Sequence, residues 1–233
     1  MFIDKKILAI IPARSGSKGL KDKNIKLLNK KPMLTYSIES ALQSNVIDEI
    51  YVSTDSVEYA DIARKYGANV PFLRSTNNAT DTAGTFDVVR EALLNYKEIG
   101  KKFDWCIILQ PTSPLRSCED IISSLNLMWN KEAVSVVGVC ECEHSPLWSN
   151  ILSENQCLKG FLREDLASQR QLLNTYYRIN GAMYIVDVKY ILENDNMYTD
   201  KSFAYVMPKE RSVDIDDIYD FCVAEAFLKM ERE

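Results

Sequence analysis

The sequence has a single histidine, His144, and no serine or cysteine in a recognised nucleophile motif. Hydrolases of the Ser-His-Asp kind need a histidine base beside the nucleophile, so we do not expect one here. Long apolar runs are also absent: no stretch approaches the ~20 residues of a membrane span. The run at 7–11 is too short for a signal-peptide core. The sequence therefore predicts a cytoplasmic protein with no membrane partner.

The sequence has fewer basic than acidic residues: 28 Lys and Arg against 33 Asp and Glu, which gives a net charge of -5. Such a surface does not suit a phosphate backbone, so no nucleic-acid partner is expected. Within residues 14–31, however, an even distribution would place roughly 2 basic side chains. The window holds seven, Arg14, Lys18, Lys21, Lys23, Lys26, Lys30 and Lys31. This local excess favours one small anion as the ligand.

The six cysteines are scattered and provide no second pair at zinc-site spacing beside Cys140, Cys142 and His144. We therefore expect no zinc site there. In a chain without a signal peptide, reduced cysteines that pack in the interior are the expectation, including Cys106 and Cys222.

Short apolar runs alternate with amphipathic stretches, which predicts a single α/β domain over 1–233 with a mostly parallel sheet and helices on both faces. Pro32 is expected in the first turn of its helix, and Trp129 on a buried face. The alternation breaks at about 141–180, a polar and irregular excursion. The predicted strands are 7–11, 50–53, 105–109, 133–139, 181–186 and 203–207, and the predicted helices are 32–44, 56–66, 85–99, 119–130 and one from about 217.

Three loops, 12–24, 53–56 and 110–117, follow predicted strands, where ligands of such sheets bind. In the first, Gly16 and Gly19 permit close backbone approach, and Arg14, Lys18 and Lys23 could surround phosphate oxygens. The glycine spacing fits neither a Walker A loop nor the dinucleotide fingerprint. The stretch therefore indicates phosphate binding, with a solvated basic turn as the alternative.

Three later stretches also combine polar groups with strand ends. "LQPTSPLR" (109–116) offers Gln110 and Arg116 as a ligand wall or, equally, as a rigid turn. In "SVDIDD" (212–217), alternation around Ile215 places Asp214 and Asp216 on one side, as Mg²⁺ ligands or as an acidic helix cap with Asp217. "RINGAMYI" (178–185) and the upstream Arg170 offer arginines for a carboxylate, or ordinary surface charge.

Taken together and in this order, "IIPARSGSKGLKDKN", "VSTDS", "LQPTSPLR", "YRINGAMYI" and "SVDIDD" resemble the acylneuraminate cytidylyltransferases, also called CMP-sialic acid synthetases, from residue 7 to about 222. The resemblance implies a Rossmann-like nucleotidyltransferase fold. The implied reaction joins CTP to a nine-carbon α-keto acid sugar, giving the CMP-sugar and pyrophosphate with Mg²⁺. It also implies a homodimer in which the excursion helps to complete the partner's sugar site.

The resemblance further assigns roles to individual residues. Arg14, Lys23 and Asp216 would be catalytic, and Asp214 and Asp216 would bind the metal. The remaining positions divide between a nucleotide site and a sugar site. The nucleotide residues would be Arg14, Lys18, Lys23, Asn24, Arg74 and Thr85, and the sugar residues Gln110, Arg170, Tyr184, Met197 and Tyr198.

Two departures affect the sugar half. Trp148 stands where some sialic-acid members have lysine, and Met197 replaces an aromatic residue. N-acetylneuraminate, legionaminate and pseudaminate therefore all remain as substrates. A 3-deoxy-octulosonate cytidylyltransferase is another alternative, although "GLKDKN" lacks the proline-bearing segment usual there. A non-catalytic nucleotide-binding protein and, more distantly, a glycosyltransferase complete the alternatives.

Overall fold

The first strand lies in the interior of the main sheet, between two other strands. A computed structural model describes residues 2–16, 19–80, 82–162 and 174–230. In the strand Ile7–Pro12, residues 7–11 have no exposed surface. A strand that is apolar at every position must be covered on both faces, which is typical of the interior of a parallel sheet.

Six strands form the main sheet, and the predicted mostly parallel arrangement is confirmed. In chain order the strands are β1 (Ile7–Pro12), β2 (Leu27–Leu28), β3 (Lys31–Pro32), β4 (Glu49–Ser53), β5 (Trp105–Leu109), β6 (Ser135–Glu141), β7 (Tyr177–Asp187) and β8 (Ser202–Val206). The sheet order is β4-β1-β5-β7-β6-β8, while β2 and β3 form a separate hairpin. Only β7 runs antiparallel to its neighbours in the described sheet.

Six α-helices are present in the described ranges: α1 (Leu34–Ser44), α2 (Val57–Lys65), α3 (Thr85–Glu98), α4 (Cys118–Asn130), α5 (Val188–Glu193) and α6 (Ile218–Met230). Helices α1 and α4 contact each other, as do α3 and α5. A bilayer-crossing helix is not found among these, because none combines the necessary length with sufficient apolar character.

Three local predictions were wrong. Pro32 lies in β3 opposite Leu27 rather than in the first turn of α1, an edge position that suits a residue without an N–H. Trp129 is 43% exposed, because the neighbouring Met128 takes the buried position in the last turn of α4. Cys222 is exposed on α6, whereas Cys106 is buried as expected.

The order of the strands creates a crevice at one edge of the sheet. The chain goes from β1 to β4 on one side, and then returns past β1 to β5 on the other. Ligands of such sheets bind where the connections diverge in this way, at the carboxyl ends of the strands. The loops after β1, β4 and β5 therefore meet beside this crevice.

The antiparallel β7 brings the excursion back to the same edge. Glu141, at the end of β6, lies opposite Tyr177, at the start of β7. The Cys142 N–H donates to the Tyr176 carbonyl at 2.8 Å and closes this two-stranded stem. Because β7 begins at 177, the excursion is shorter than the predicted 141–180. Its described part includes a 3-10 turn at Pro146–Trp148.

A buried guanidinium fixes β7 against β5. Arg116 donates to the carbonyls of Ala182 in β7 and Gln110 after β5, and to the Ser37 hydroxyl in α1. Its side chain is buried, and this burial lowers the pKa of Arg116 to about 9. Arg116 is thus a brace between three elements, as the rigid-turn interpretation of "LQPTSPLR" expects, while the interpretation of the stretch as a ligand wall stays a prediction.

A second buried charge joins α4 to β8 and to the turn that precedes the acidic segment. The fully buried Asp120 carboxylate accepts two hydrogen bonds from Ser117, one from the Tyr205 hydroxyl at 3.2 Å and two from Arg211 at 2.9 Å. Burial alone would raise the pKa of Asp120, but the bonds from Arg211 and Ser117 outweigh it and lower that pKa below 3.8.

We expect Asp120→Asn to reduce the free energy of unfolding by about 2–3 kcal/mol, the loss typical of hydrogen bonds to a charged group. Urea unfolding followed by tryptophan fluorescence at neutral pH measures it. Because the folded-state pKa of Asp120 is lowered, its stabilisation is present above the unfolded-state pKa and is lost as the pH falls through the folded-state pKa. The two proteins should therefore converge in strong acid. Tyr205→Phe, which removes one of the bonds, should cost about 1 kcal/mol; equal losses for both variants would contradict the role of the charge.

Candidate functional site

The loop after β1, residues 13–24, is called the first loop below. Lys18 lies outside the described residues. Gly19 approaches the acidic segment so closely that an added Cβ would lie 2.9 Å from the Asp216 carbonyl oxygen. A larger residue at position 19 would force the backbone apart. The first loop is therefore packed against residues almost 200 positions later in the chain.

Lys23 makes the polar link between these two segments. Its Nζ donates to the Ile215 carbonyl at 2.6 Å and to Asp216 Oδ1 at 3.1 Å. The Lys23 side chain is 13% exposed, whereas that of Asp216 is 83% exposed. The buried Asn24 donates from Nδ2 to the Arg14 carbonyl at 3.0 Å and ties the end of the loop to its beginning.

The acidic segment 213–217 separates its apolar and charged residues as the sequence predicts. Ile215 is fully buried, and its N–H donates to the Thr112 carbonyl at 2.8 Å. Burial raises the pKa of Asp214, and the nearby Asp216 charge adds to the rise, while a hydrogen bond with Thr112 and the charge of Lys23 oppose it. Asp217 Oδ1 accepts the Tyr219 and Asp220 N–H groups at the start of α6, so Asp217 caps that helix.

Gly181, within β7, lies close to both the loop after β5 and the acidic segment. It has φ +74, and a Cβ placed on it would lie 3.1 Å from Gln110 Oε1 and 3.2 Å from Asp214 Oδ2. The glycine thus leaves space for an amide and a carboxylate that both approach the same backbone position. Next to it, the buried Asn180 donates to the Ser212 hydroxyl at 3.0 Å and holds the acidic segment against β7.

A buried cation, Arg74, is bound to the last residue of β4. Arg74 donates from Nε to the Ser53 hydroxyl at 3.0 Å and from Nη2 to the Ser53 carbonyl at 2.6 Å. Burial lowers the pKa of Arg74, an effect to which the charge of Arg14 also contributes. The charges of Asp55 and Glu91 act on Arg74 in the opposite direction, so the two arginines lie in a region of mixed charge. Thr85 is exposed at the first position of α3.

The predicted sugar residues do not all lie at the crevice. Tyr184 is half-buried in β7, and burial raises its pKa, helped by the nearby Tyr198 and Asp214. Tyr198 is 53% exposed. Met197, however, is buried in the main core, so its side chain does not reach the surface. Arg170 lies outside the described residues.

The structure brings together Arg14, Lys23, Asn24, Gln110, Tyr184, Asp214 and Asp216 at the carboxyl edge of the sheet. The list of candidates from the sequence omitted Thr112, whose hydroxyl and carbonyl both hold the acidic segment. It also omitted Asp55, whose carboxylate accepts two hydrogen bonds from Ser15. The motifs "LQPTSPLR" and "VSTDS" contain these residues, and a polar residue just after a strand was the available signal.

Chemically, the arrangement pairs cations with a carboxylate pair across a narrow space. Arginine and lysine side chains suit the oxygens of a phosphate chain. Asp214 and Asp216 repel each other, so a further cation between them would be stabilised. Among the described residues there is no cluster of three or more acidic, histidine or cysteine side chains able to hold a metal ion. A divalent ion at the pair would need oxygens from a ligand as well.

Comparison with known proteins agrees with this geometry. Residues 8–137 match the family model described as "Cytidylyltransferase". The chain is 38% identical to the CMP-N,N'-diacetyllegionaminic acid synthase of Legionella pneumophila over 98% of both chains. It is also 38% identical to the N-acylneuraminate cytidylyltransferase of Escherichia coli O18:K1:H7, over 94% of this chain and 51% of that protein.

A solved structure shares the fold. It is CMP:2-keto-3-deoxy-manno-octonic acid synthetase in complex with CTP, with a TM-score of 0.71 and 18% identity over 97% of this chain and 99% of that one. Because the sequence identity is low, this match establishes the fold alone. The predicted α/β nucleotidyltransferase fold is confirmed.

We expect Gly181→Ala to destabilise the protein more than Gly100→Ala. Both glycines have positive φ (+74 and +79), but an added Cβ meets two oxygens at Gly181 and nothing within 4 Å at Gly100. The backbone strain, about 1–2 kcal/mol, is common to both variants, so the difference in unfolding free energy reports the crowding of Gln110 and Asp214. Equal losses in urea unfolding would show that the two side chains move aside freely.

Proposed function

The chain belongs to the cytidylyltransferase family, and on that basis we propose that it transfers the cytidylyl group of CTP to a nine-carbon α-keto acid sugar and releases pyrophosphate. The contact that carries the proposal joins Lys23 of the first loop to Asp216 of the acidic segment. This contact supports the proposal, because it joins a lysine that could bind phosphate to one member of the carboxylate pair.

In the proposed reaction the anomeric hydroxyl of the sugar attacks the α-phosphorus, the bond to the β-phosphate breaks, and pyrophosphate leaves. Such transfer depends chiefly on the position of the reactants and on the neutralisation of charge. Arg14 and Lys23 would hold the triphosphate, with Lys18 in the same loop. Asn24, Arg74 and Thr85 would contact the nucleoside, and either aspartate would accept the hydroxyl proton.

Mg²⁺ is the proposed metal ion, held by Asp214 and Asp216. The donor set fits, because Mg²⁺ is commonly bound by one or two carboxylates together with substrate phosphates. Burial and the charge of Asp216 raise the pKa of Asp214, which supports the proposal of a cation at this pair. A bound ion would supply charge neutralisation at the phosphate. Lys23 already neutralises part of the charge of the Asp216 carboxylate through their ion pair.

Gln110, Tyr184 and Tyr198, with Arg170, are the proposed sugar residues, and N,N'-diacetyllegionaminate is the proposed first choice among the nonulosonates. The relative with that name matches over 98% of both chains, whereas the E. coli acylneuraminate enzyme is about twice as long. The burial of Met197 leaves Tyr198 as the exposed member of its pair. A 3-deoxy-octulosonate substrate has less support, because the similarity to that synthetase is one of fold.

A homodimer is also part of the proposal. The described part of the excursion and the neighbouring strands expose apolar side chains, among them Ile151, Leu158, Ile179 and Val206. Exposed apolar side chains support an interface where they form one contiguous patch. Light scattering would test it, and a mass of twice the 26.6 kDa chain is expected. A cytoplasmic location stays a prediction of the sequence.

The reaction is tested by pyrophosphate release from CTP and Mg²⁺ with three separate sugars: N-acetylneuraminate, legionaminate in its diacetyl form, and pseudaminate. We expect release with at least one, and the highest kcat/KM with diacetyllegionaminate. A preference for another of the three sugars would change the proposed substrate but would still support the proposed reaction. Release with none of them, from a folded protein that binds CTP, would contradict the sugar half of the proposal.

Asp216→Asn should reduce kcat by roughly 10²–10³-fold, the loss typical of one electrostatic group at a reacting phosphate. Asp217→Asn is the matched control, because asparagine caps a helix about as well as aspartate. The control should retain near wild-type turnover. Because Asp216 is exposed, both variants should unfold at the wild-type urea concentration. Similar activity in the two variants would remove Asp216 from the mechanism.

A further inference from the structure

The first loop is held at both ends by the turn and helix that follow β4. At the start of the loop, the Ser15 N–H donates to Asp55 Oδ1 and the Ser15 hydroxyl donates to Asp55 Oδ2, each at 2.7 Å. Both donors of Ser15 therefore go to one carboxylate, 40 residues away in the chain. Ser15 directly follows Arg14, so its position fixes the direction in which the backbone leaves that arginine.

The second attachment lies at the other end of the loop. The Tyr59 hydroxyl donates to Asp22 Oδ1 at 3.3 Å, from a ring that is 2% exposed. Asp22 has φ +51, in the left-handed region that non-glycine residues rarely adopt, and Lys23 follows it immediately. Burial and the neighbouring Asp22 carboxylate raise the pKa of Tyr59, so its hydroxyl remains a donor.

Asp55 and Tyr59 stand on a common rigid frame. Ser56 caps α2 by accepting the Tyr59 N–H at 3.3 Å, and its own N–H donates to the hydroxyl of the buried Thr54 at 3.2 Å. The two attachment points are thus fixed relative to each other within five residues. A site that must place charged groups accurately benefits when its supporting residues are held in this way.

A carboxylate close to a triphosphate site would normally repel the ligand. Here the Asp55 charge is compensated: burial alone would raise its pKa, but the two hydrogen bonds from Ser15, with the charge of Arg74, lower it. The carboxylate remains ionised, and each of its two oxygens accepts a hydrogen bond from Ser15. An acid in this position can organise a cationic loop and still permit an anion to bind.

We propose that Asp55 is a positioning residue for CTP binding, which holds Ser15 and thereby Arg14 against the triphosphate, and that Tyr59 secures the Lys23 end of the same loop. This inference rests on the proposed function, because it assigns the first loop to the triphosphate. Asp55 does not touch the substrate in this scheme. It acts through the backbone and hydroxyl of Ser15.

The test compares Asp55→Asn with Asp61→Asn. Both variants replace an aspartate with asparagine in the same part of the chain. Asp61, however, is an exposed residue of α2 that pairs with Arg64. An asparagine at 55 keeps the size of the side chain and one acceptor, while its NH₂ group faces a Ser15 donor. For Asp55→Asn we expect the Kd for CTP, measured by calorimetry, and the KM for CTP to rise about tenfold or more, with the KM for the sugar unchanged. Asp61→Asn should match the wild type.

Ser15→Ala gives a milder, independent variant, since it loses the hydroxyl and keeps the N–H bond to Asp55. It should raise the KM for CTP about threefold, and adding it to Asp55→Asn should have no further effect. Tyr59→Phe, which keeps the buried ring, should also raise the KM for CTP about threefold. If Asp55→Asn does not fold, the Ser15→Ala and Tyr59→Phe results decide the question.

The outcomes separate the two proposals. Wild-type protein that neither binds CTP nor releases pyrophosphate with any of the three sugars would overturn the proposed function. A fully active wild type, with wild-type CTP affinity in Asp55→Asn, would overturn the positioning role alone. Equal rises in KM for CTP and for the sugar would also overturn it, because a general loss of structure would affect both substrates. A rise confined to CTP, with non-additive Ser15 and Asp55 effects, would support it.

Discussion

The buried guanidinium of Arg116 is the interaction on which the geometry of the site depends. It satisfies carbonyls of Gln110 and Ala182 at the place where β5 and β7 part, and it reaches Ser37 in α1. Removal of a buried charge from water is costly, and these bonds offset that cost. Because β5 and β7 are joined here, Gly181 must lie next to Gln110, and the acidic segment can close over both.

The electrostatics of the crevice follow from the same compact arrangement. Two aspartates with one intervening residue, one of them partly buried, would be unfavourable without a cation nearby. Lys23 provides one from a segment 193 residues away in sequence and also binds the Ile215 carbonyl, so it closes the crevice while it neutralises charge. Contacts within the protein itself therefore hold the first loop against the acidic segment.

Local patterns in the sequence predicted much of this fold, because fully buried strands are unbroken apolar runs. The bounds of β5 agree residue for residue, and α2 begins one residue after its predicted start at Ser56, which is its N-cap. The direction of β7 was not predictable, since buried parallel and antiparallel strands have the same apolar pattern. The β2–β3 hairpin has two residues in each strand, too few for any periodicity.

The site divides in the same way. Charged residues beside glycine or at strand ends were visible in the sequence, and Lys23, Asp214, Asp216 and Gln110 do meet. Their supporting partners were not visible, because a hydrogen bond such as that of Ser15 with Asp55 joins ordinary polar residues far apart in the chain. Met197 shows a different limit. The resemblance assigned it to a contact with the sugar, but its side chain is buried in the main core. A matched position in a motif does not show whether the side chain there is exposed.

The stem of the excursion has a consequence for how such a protein can diversify. Cys142 and Tyr176 close a narrow neck, and the chain leaves and re-enters the sheet side by side at Glu141 and Tyr177. Residues can be inserted, lost or exchanged beyond that neck without a change in the register of any strand. Mutations that remodel the excursion are thereby separated from the loops that follow β1, β4 and β5. Descendants of one ancestral sheet can therefore differ in the excursion while the loops at the carboxyl edge of the sheet stay the same.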